Sequence, residues 1–205
     1  MPRYRMVLAG LSVAIALAGL ASASASAHEF IVEEKSLATT EELTGTIGAS
    51  KLEFKLAGED TTIECKSGSL KGGIRNTGAM ETNLKLSECQ IVTWPPVCRA
   101  ITEPNVWLSD ELTTFEEKPG LRFSGLEGKE FLFEFRGTSK ECTIKPTFPV
   151  DGSFTCELPE IKTEAVTHEV ACKPAGDKLS VGPNVATFTA TAKARLASGK
   201  KWSVD

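Results

Sequence analysis

Apolar and polar residues alternate with a period of two along most of the chain after residue 27. A strand sends successive side chains to opposite faces, so this period reads as half-buried β structure. Val185–Leu196 carries the clearest case. Ala186, Phe188, Ala190, Ala192, Ala194 and Leu196 share one face, and Thr187, Thr189, Thr191, Lys193 and Arg195 share the other. Small residues on the buried side point to a tightly packed central strand. Lys51–Leu56 places Leu52, Phe54 and Leu56 together, and Lys129–Ile144 places Phe131, Phe133 and Phe135 together, with Leu132, Glu134 and Arg136 opposite. That aromatic row is the expected heart of the core.

Further strands are expected at Thr61–Cys65, Met80–Leu86, Asn105–Leu108, Leu121–Phe123, Ser153–Leu158, Glu164–Cys172 and Lys201–Val204. Turn dipeptides and prolines separate them, such as Pro119-Gly120, Asp151-Gly152 and Ser198-Gly199, and leave no room for a long amphipathic helix. The expected fold is all-β, an antiparallel β-sandwich or barrel. Phe54–Gly58 precedes Cys65 much as Phe133–Gly137 precedes Cys142, so two related β-halves, about 28–115 and 116–205, are one possible organisation.

The first 27 residues follow another pattern. Arg3 and Arg5 precede an apolar run, Met6–Leu20, and Ala25-Ser26-Ala27 ends it with small residues. That is the layout of a cleaved signal peptide, 1–27, leaving His28 first in a secreted domain, 28–205. No later segment is long and apolar enough for a transmembrane helix, so a secreted or cell-surface location is expected. Without Arg3 and Arg5 the chain holds 21 basic and 27 acidic residues, a net charge of −6. His28–Glu64, with nine acidic and three basic residues, accounts for all of it. An acidic chain without a basic stripe argues against nucleic acid as a partner.

All six cysteines, Cys65, Cys89, Cys98, Cys142, Cys156 and Cys172, follow residue 27. An even count in an exported chain reads as three disulfides. Local pairing is expected: Cys89–Cys98 across a turn at Thr93–Pro96, Cys156–Cys172 across a second strand–turn–strand segment, and Cys65–Cys142 joining the halves. No Cys-x-x-Cys pair exists and the only histidines are His28 and His168, so a zinc site of ordinary spacing is not expected.

Catalytic signatures are scarce. Neither a Gly-x-Ser-x-Gly elbow nor a phosphate-binding glycine loop occurs, and carboxylate pairs such as Glu116-Glu117 and Asp110-Glu111 read as ordinary acidic surface. One constellation carries specific chemistry. Cleavage after Ala27 gives His28 a free α-amine beside its imidazole, and His168 would supply a third nitrogen suited to copper. In this single respect, and in fold class, the chain resembles copper-resistance proteins and lytic polysaccharide monooxygenases, which use a histidine brace on secreted β-sandwiches. A frayed terminus would prevent that site, and fraying is the expectation for a chain end.

Ala-His-Glu-Phe at 27–30, Thr-Gly-Thr-Ile-Gly at 44–48, Ile-Glu-Cys at 63–65 and Ser-Gly-Lys-Lys-Trp at 198–202 together resemble a group of uncharacterised secreted β-rich proteins of soil actinobacteria. The resemblance implies export and β structure and brings no activity. The sequence therefore leads to a disulfide-stapled, non-catalytic binding or structural protein of the cell exterior. Its partner would be an unidentified ligand or an envelope component, with no cofactor. A copper protein is the alternative, and a secreted hydrolase a third.

Overall fold

A computed structural model describes residues 28–115, 118–126, 132–143, 146–158, 164–173 and 179–205. The leader expected over 1–27, and Phe131 of the aromatic row, lie outside these residues. Among the described residues the regular elements are β-strands and one 3-10 turn, Pro96–Cys98. Strands β1 (Phe30–Val32) and β2 (Lys35–Ser36) are short. β3 (Glu41–Leu56) and β4 (Glu59–Ile74) run for 16 residues each. β5 (Met80–Ile91), β6 (Asn105–Phe115) and β7 (Lys118–Gly125) continue the meander. β8 (Phe133–Arg136), β9 (Thr147–Asp151), β10 (Ser153–Glu157), β11 (Thr167–Cys172), β12 (Leu179–Val181), β13 (Asn184–Leu196) and β14 (Trp202–Val204) follow.

Eight of these strands close into an antiparallel barrel in the order β3-β4-β5-β6-β7-β10-β11-β13, with β13 returning to β3. Closure removes the unpaired edges that a sandwich would leave. β13 makes it possible by pairing along its length with β3 and, over Ala190–Arg195, with β11. Its inward Ala186, Phe188, Ala190, Ala192, Ala194 and Leu196 are all buried, as the alternation predicts. Alanines at three consecutive inward positions let the facing wall approach closely. The ring draws on both stretches, 28–115 and 116–205.

β3 and β4 are longer than the predicted Lys51–Leu56 and Thr61–Cys65 segments. Their hairpin turns on Ala57 and Gly58 alone, both at positive φ, the two-residue turn whose twist matches its strands. The extensions contain glycines that read as loop signals but serve packing. A side chain on Gly72 would place its Cβ 2.0 Å from Thr82 Oγ1, and one on Gly45 would place it 2.9 Å from Leu70 Cγ.

Two smaller strand groups flank the ring, one a separate sheet and one a continuation of the barrel sheet. β14-β1-β2 forms one, tied to the β4–β5 turn by Asn76, whose side chain accepts from Phe30 N at 2.6 Å and donates to Leu37 O at 3.2 Å. Trp202 is its fully buried anchor, against Phe30 and His168. β8, β9 and β12 form the other, a branch from the start of β13. The predicted aromatic row belongs to this branch and not to the ring. Phe133 and Phe135 meet edge to face at 5.5 Å, and Phe148 on β9 carries the packing on to Phe54 and Trp94. Leu132 is buried as well, because the strand begins only at Phe133 and the strict alternation does not reach back to it.

The disulfides are Cys65–Cys89, Cys98–Cys142 and Cys156–Cys172. The third matches expectation; Cys89–Cys98 and Cys65–Cys142 do not form. Cys65 and Cys89 face each other across β4 and β5, their Cα atoms 3.9 Å apart. The chain does fold back after Thr93–Pro96, but with Gln90 opposite Ala100, a register that sets Cys89 against Ile101 and leaves Cys98 out of reach. Cys98 then meets Cys142 in the loop beyond β8.

Candidate functional site

Each of the eight ring strands sends side chains into the barrel interior. Leu43, Ile47, Leu84, Leu121, Phe123, Phe154 and Phe188 fill most of it, and a cavity of about 30 Å³ remains. An internal water needs roughly 10–15 Å³ on this scale, and ligand pockets run to about 300–1,000 Å³. The interior is thus a packed core with room for a water or two. This is the filled end of the range open to eight-stranded barrels.

Among the described residues, one charged group faces the interior. Asp110 on β6 is only 4% exposed, and Thr82 on β5 donates its hydroxyl to Asp110 Oδ1 at 2.7 Å. Thr82 fits because Gly72, its cross-strand partner on β4, has no side chain to occupy the same space. Burial pushes the Asp110 carboxyl up to about 6; the Thr82 hydrogen bond and the charge of Arg75 oppose that rise without cancelling it. The reading of Asp110-Glu111 as acidic surface is therefore wrong for Asp110. A signal was present: Asp110 keeps step with Val106, Leu108 and Leu112 on one face of a longer strand.

The two histidines end up on opposite sides of one strand. His28 is not frayed: Glu29 N donates to Asp205 O and Asp205 N to Glu29 O, which docks the segment beside β14. The His28 ring lies with Nδ1 3.0 Å from Asp205 O. His168 lies with Nε2 2.7 Å from Trp202 O, its ring edge-on to the indole at 4.5 Å between centroids. β14 pairs with β1 on one side and meets Ala165 on the other, so it runs between the histidine-bearing segments. Trp202 and Asp205 are three residues apart, roughly 10 Å along an extended strand. Each imidazole is engaged at its own carbonyl, and the structure does not bring the two together. Among the described residues no group of three or more His, Cys, Asp or Glu is arranged to hold a metal ion.

The outer surface offers shallower features. A groove of about 780 Å³ opens between Glu53–Lys55, Asp60–Thr62 and Pro183–Val185, with Val185 80% exposed on its wall. A depression of about 400 Å³ is lined by Thr44, Thr46, Thr167, Lys193 and Arg195, the polar face of β13 with its neighbours. On the other flank of the barrel Trp107 of β6 stands 53% exposed, whereas Trp202 is fully buried.

The chain matches no protein-family model, no curated protein and no solved structure.

Proposed function

We propose that this chain is an exported, non-catalytic protein of the cell exterior that acts by binding an envelope component or other ligand through its outer surface. The observation that carries the reading is the packed interior. A barrel with space for a water or two does not enclose a ligand, so recognition falls to the outside. Three disulfides support export, since such bridges persist in oxidising compartments. The basic, apolar and Ala-x-Ala order of residues 1–27 supports it too.

Copper binding by His28 and His168 is the second reading. In its favour, both imidazoles lie against β14; against it, that strand runs between them and their ring nitrogens meet different carbonyls. A hydrolase is the third, and no catalytic motif in the sequence favours it.

Fractionation of the producing cells tests the first reading. The protein is expected in the medium or the envelope fraction, beginning at His28. Recovery from the cytoplasm with Met1 in place would overturn it.

A further inference from the structure

The outer face of β5 and β6 carries an aromatic side chain that the core does not use. Trp107 projects outward, 53% exposed, directly across from Asn83. Facing positions on neighbouring strands hold their side chains about 4.5–5.5 Å apart at Cβ, so indole and amide form one surface. The amide is fixed in place: Asn83 Nδ2 donates to Asn105 Oδ1 at 3.0 Å and to Val106 O at 3.1 Å. Both N–H groups of Asn83 are thereby used, which leaves its carbonyl oxygen and the Asn105 amide nitrogen for a ligand. Lys71 continues the Asn83–Trp107 row on β4, and Lys85 stands opposite Asn105.

We propose that this face is a glycan-binding site, with Trp107 as its stacking platform and Asn83 and Asn105 as its hydrogen-bonding edge. The proposal rests on the reading of the chain as an exterior binding protein and names its ligand class. The π face of an indole carries negative potential and attracts the C–H face of a sugar ring. Amides beside it meet hydroxyls, which donate and accept. A protein partner or a lipid surface would need more apolar area than Trp107 and Leu126, its neighbour beyond the Leu108–Gly125 pair, provide, and the β5 side of the indole, with Asn83, Lys85 and Glu81, is polar. Charge narrows the class further. Lys71 and Lys85 oppose a cationic ligand. Lys71 is already paired with Glu42 at 3.3 Å, and Glu81 stands opposite Ser109 on the same face, so the patch offers little net attraction to a polyanion. A neutral polysaccharide fits best.

Affinity electrophoresis of the mature protein through gels containing β-1,3-glucan, xylan, galactomannan or dextran, with alginate as the anionic control, tests this directly. At least one neutral glycan is expected to retard the wild type and to shift its tryptophan emission. Trp107→Ala is expected to weaken that binding by roughly tenfold or more with its melting temperature unchanged, and Asn83→Ala to be intermediate. Co-sedimentation with isolated envelopes of the producing organism runs alongside. If the wild type sediments with envelopes but no neutral glycan retards it, or Trp107→Ala binds equally well, the glycan site is overturned and the exterior binding reading stands. If it neither sediments nor is retarded, both fall.

Discussion

Replacing Asp110 with Asn removes a buried ionisable group from the barrel interior while keeping an oxygen to accept from the Thr82 hydroxyl. Burial holds the folded carboxyl at about 6, against an ordinary value of 3.8. At about 1.36 kcal/mol per pH unit, that gap is worth roughly 3 kcal/mol. The folded state keeps its proton to higher pH than the unfolded chain does. This contribution is therefore fully present below about pH 4 and is lost as pH rises through 6. An asparagine has no proton to lose there. The variant is expected to match the wild type within about 1 kcal/mol at pH 4 and to exceed it by about 2–3 kcal/mol at pH 8. Urea unfolding of both proteins at each pH, with the disulfides intact, measures the difference, and every other carboxylate cancels in the comparison. If the gap between the two proteins does not change with pH, or if the variant is the less stable at pH 8, the buried-carboxylate argument is wrong.

Gly72→Ala forces a methyl against Thr82 Oγ1, 2.0 Å from the ideal Cβ position, and should cost about 2–3 kcal/mol in the same unfolding assay; a wild-type-like curve would show that the two strands separate there easily. Peptide mapping of the unreduced protein should recover Cys65–Cys89, Cys98–Cys142 and Cys156–Cys172 with no free thiol, and loss of any one bridge should cost about 2–5 kcal/mol. A Cys89–Cys98 peptide would contradict the register around Gln90 and Ala100. Isothermal titration of the mature protein with Cu(II) should give no tight stoichiometric site; a tight one that disappears in His168→Ala would raise copper above the first reading.

Much of the barrel was legible as period-two alternation, because a closed antiparallel ring buries one face of every strand. β13 reads almost residue for residue. The strand lengths did not, because Gly45, Gly48, Gly68, Gly72 and Gly73 carry the same letter as turn glycines while sitting inside β3 and β4. Pairing of Cys65 with Cys89 follows once those lengths are known, since the two stand equally far, twelve residues, from Thr77 in the β4–β5 turn. Phe133 and Phe135 are buried in the core, as the alternation predicts; that they sit on the β8–β9–β12 branch is not legible, since alternation tells which face is apolar and not which sheet receives it. Asp110 escapes the sequence for a related reason: the expected strand Asn105–Leu108 stops just before the position that reveals the carboxyl as inward. For Trp107 the sequence predicts only a strand position. Its exposure depends on which face of β6 the ring closure turns inward, a property of the assembled barrel.

That recognition occurs on the outside of a filled barrel is tested most directly by covalent footprinting of the mature protein, alone and with isolated envelopes. Trp107 should be labelled in the free protein and protected in the bound one. Phe123, Phe154 and Phe188, buried in the lumen, should stay unlabelled in both. Labelling of those three phenylalanines that changes on binding, with Trp107 unaffected, would place recognition inside the barrel and contradict the proposed function.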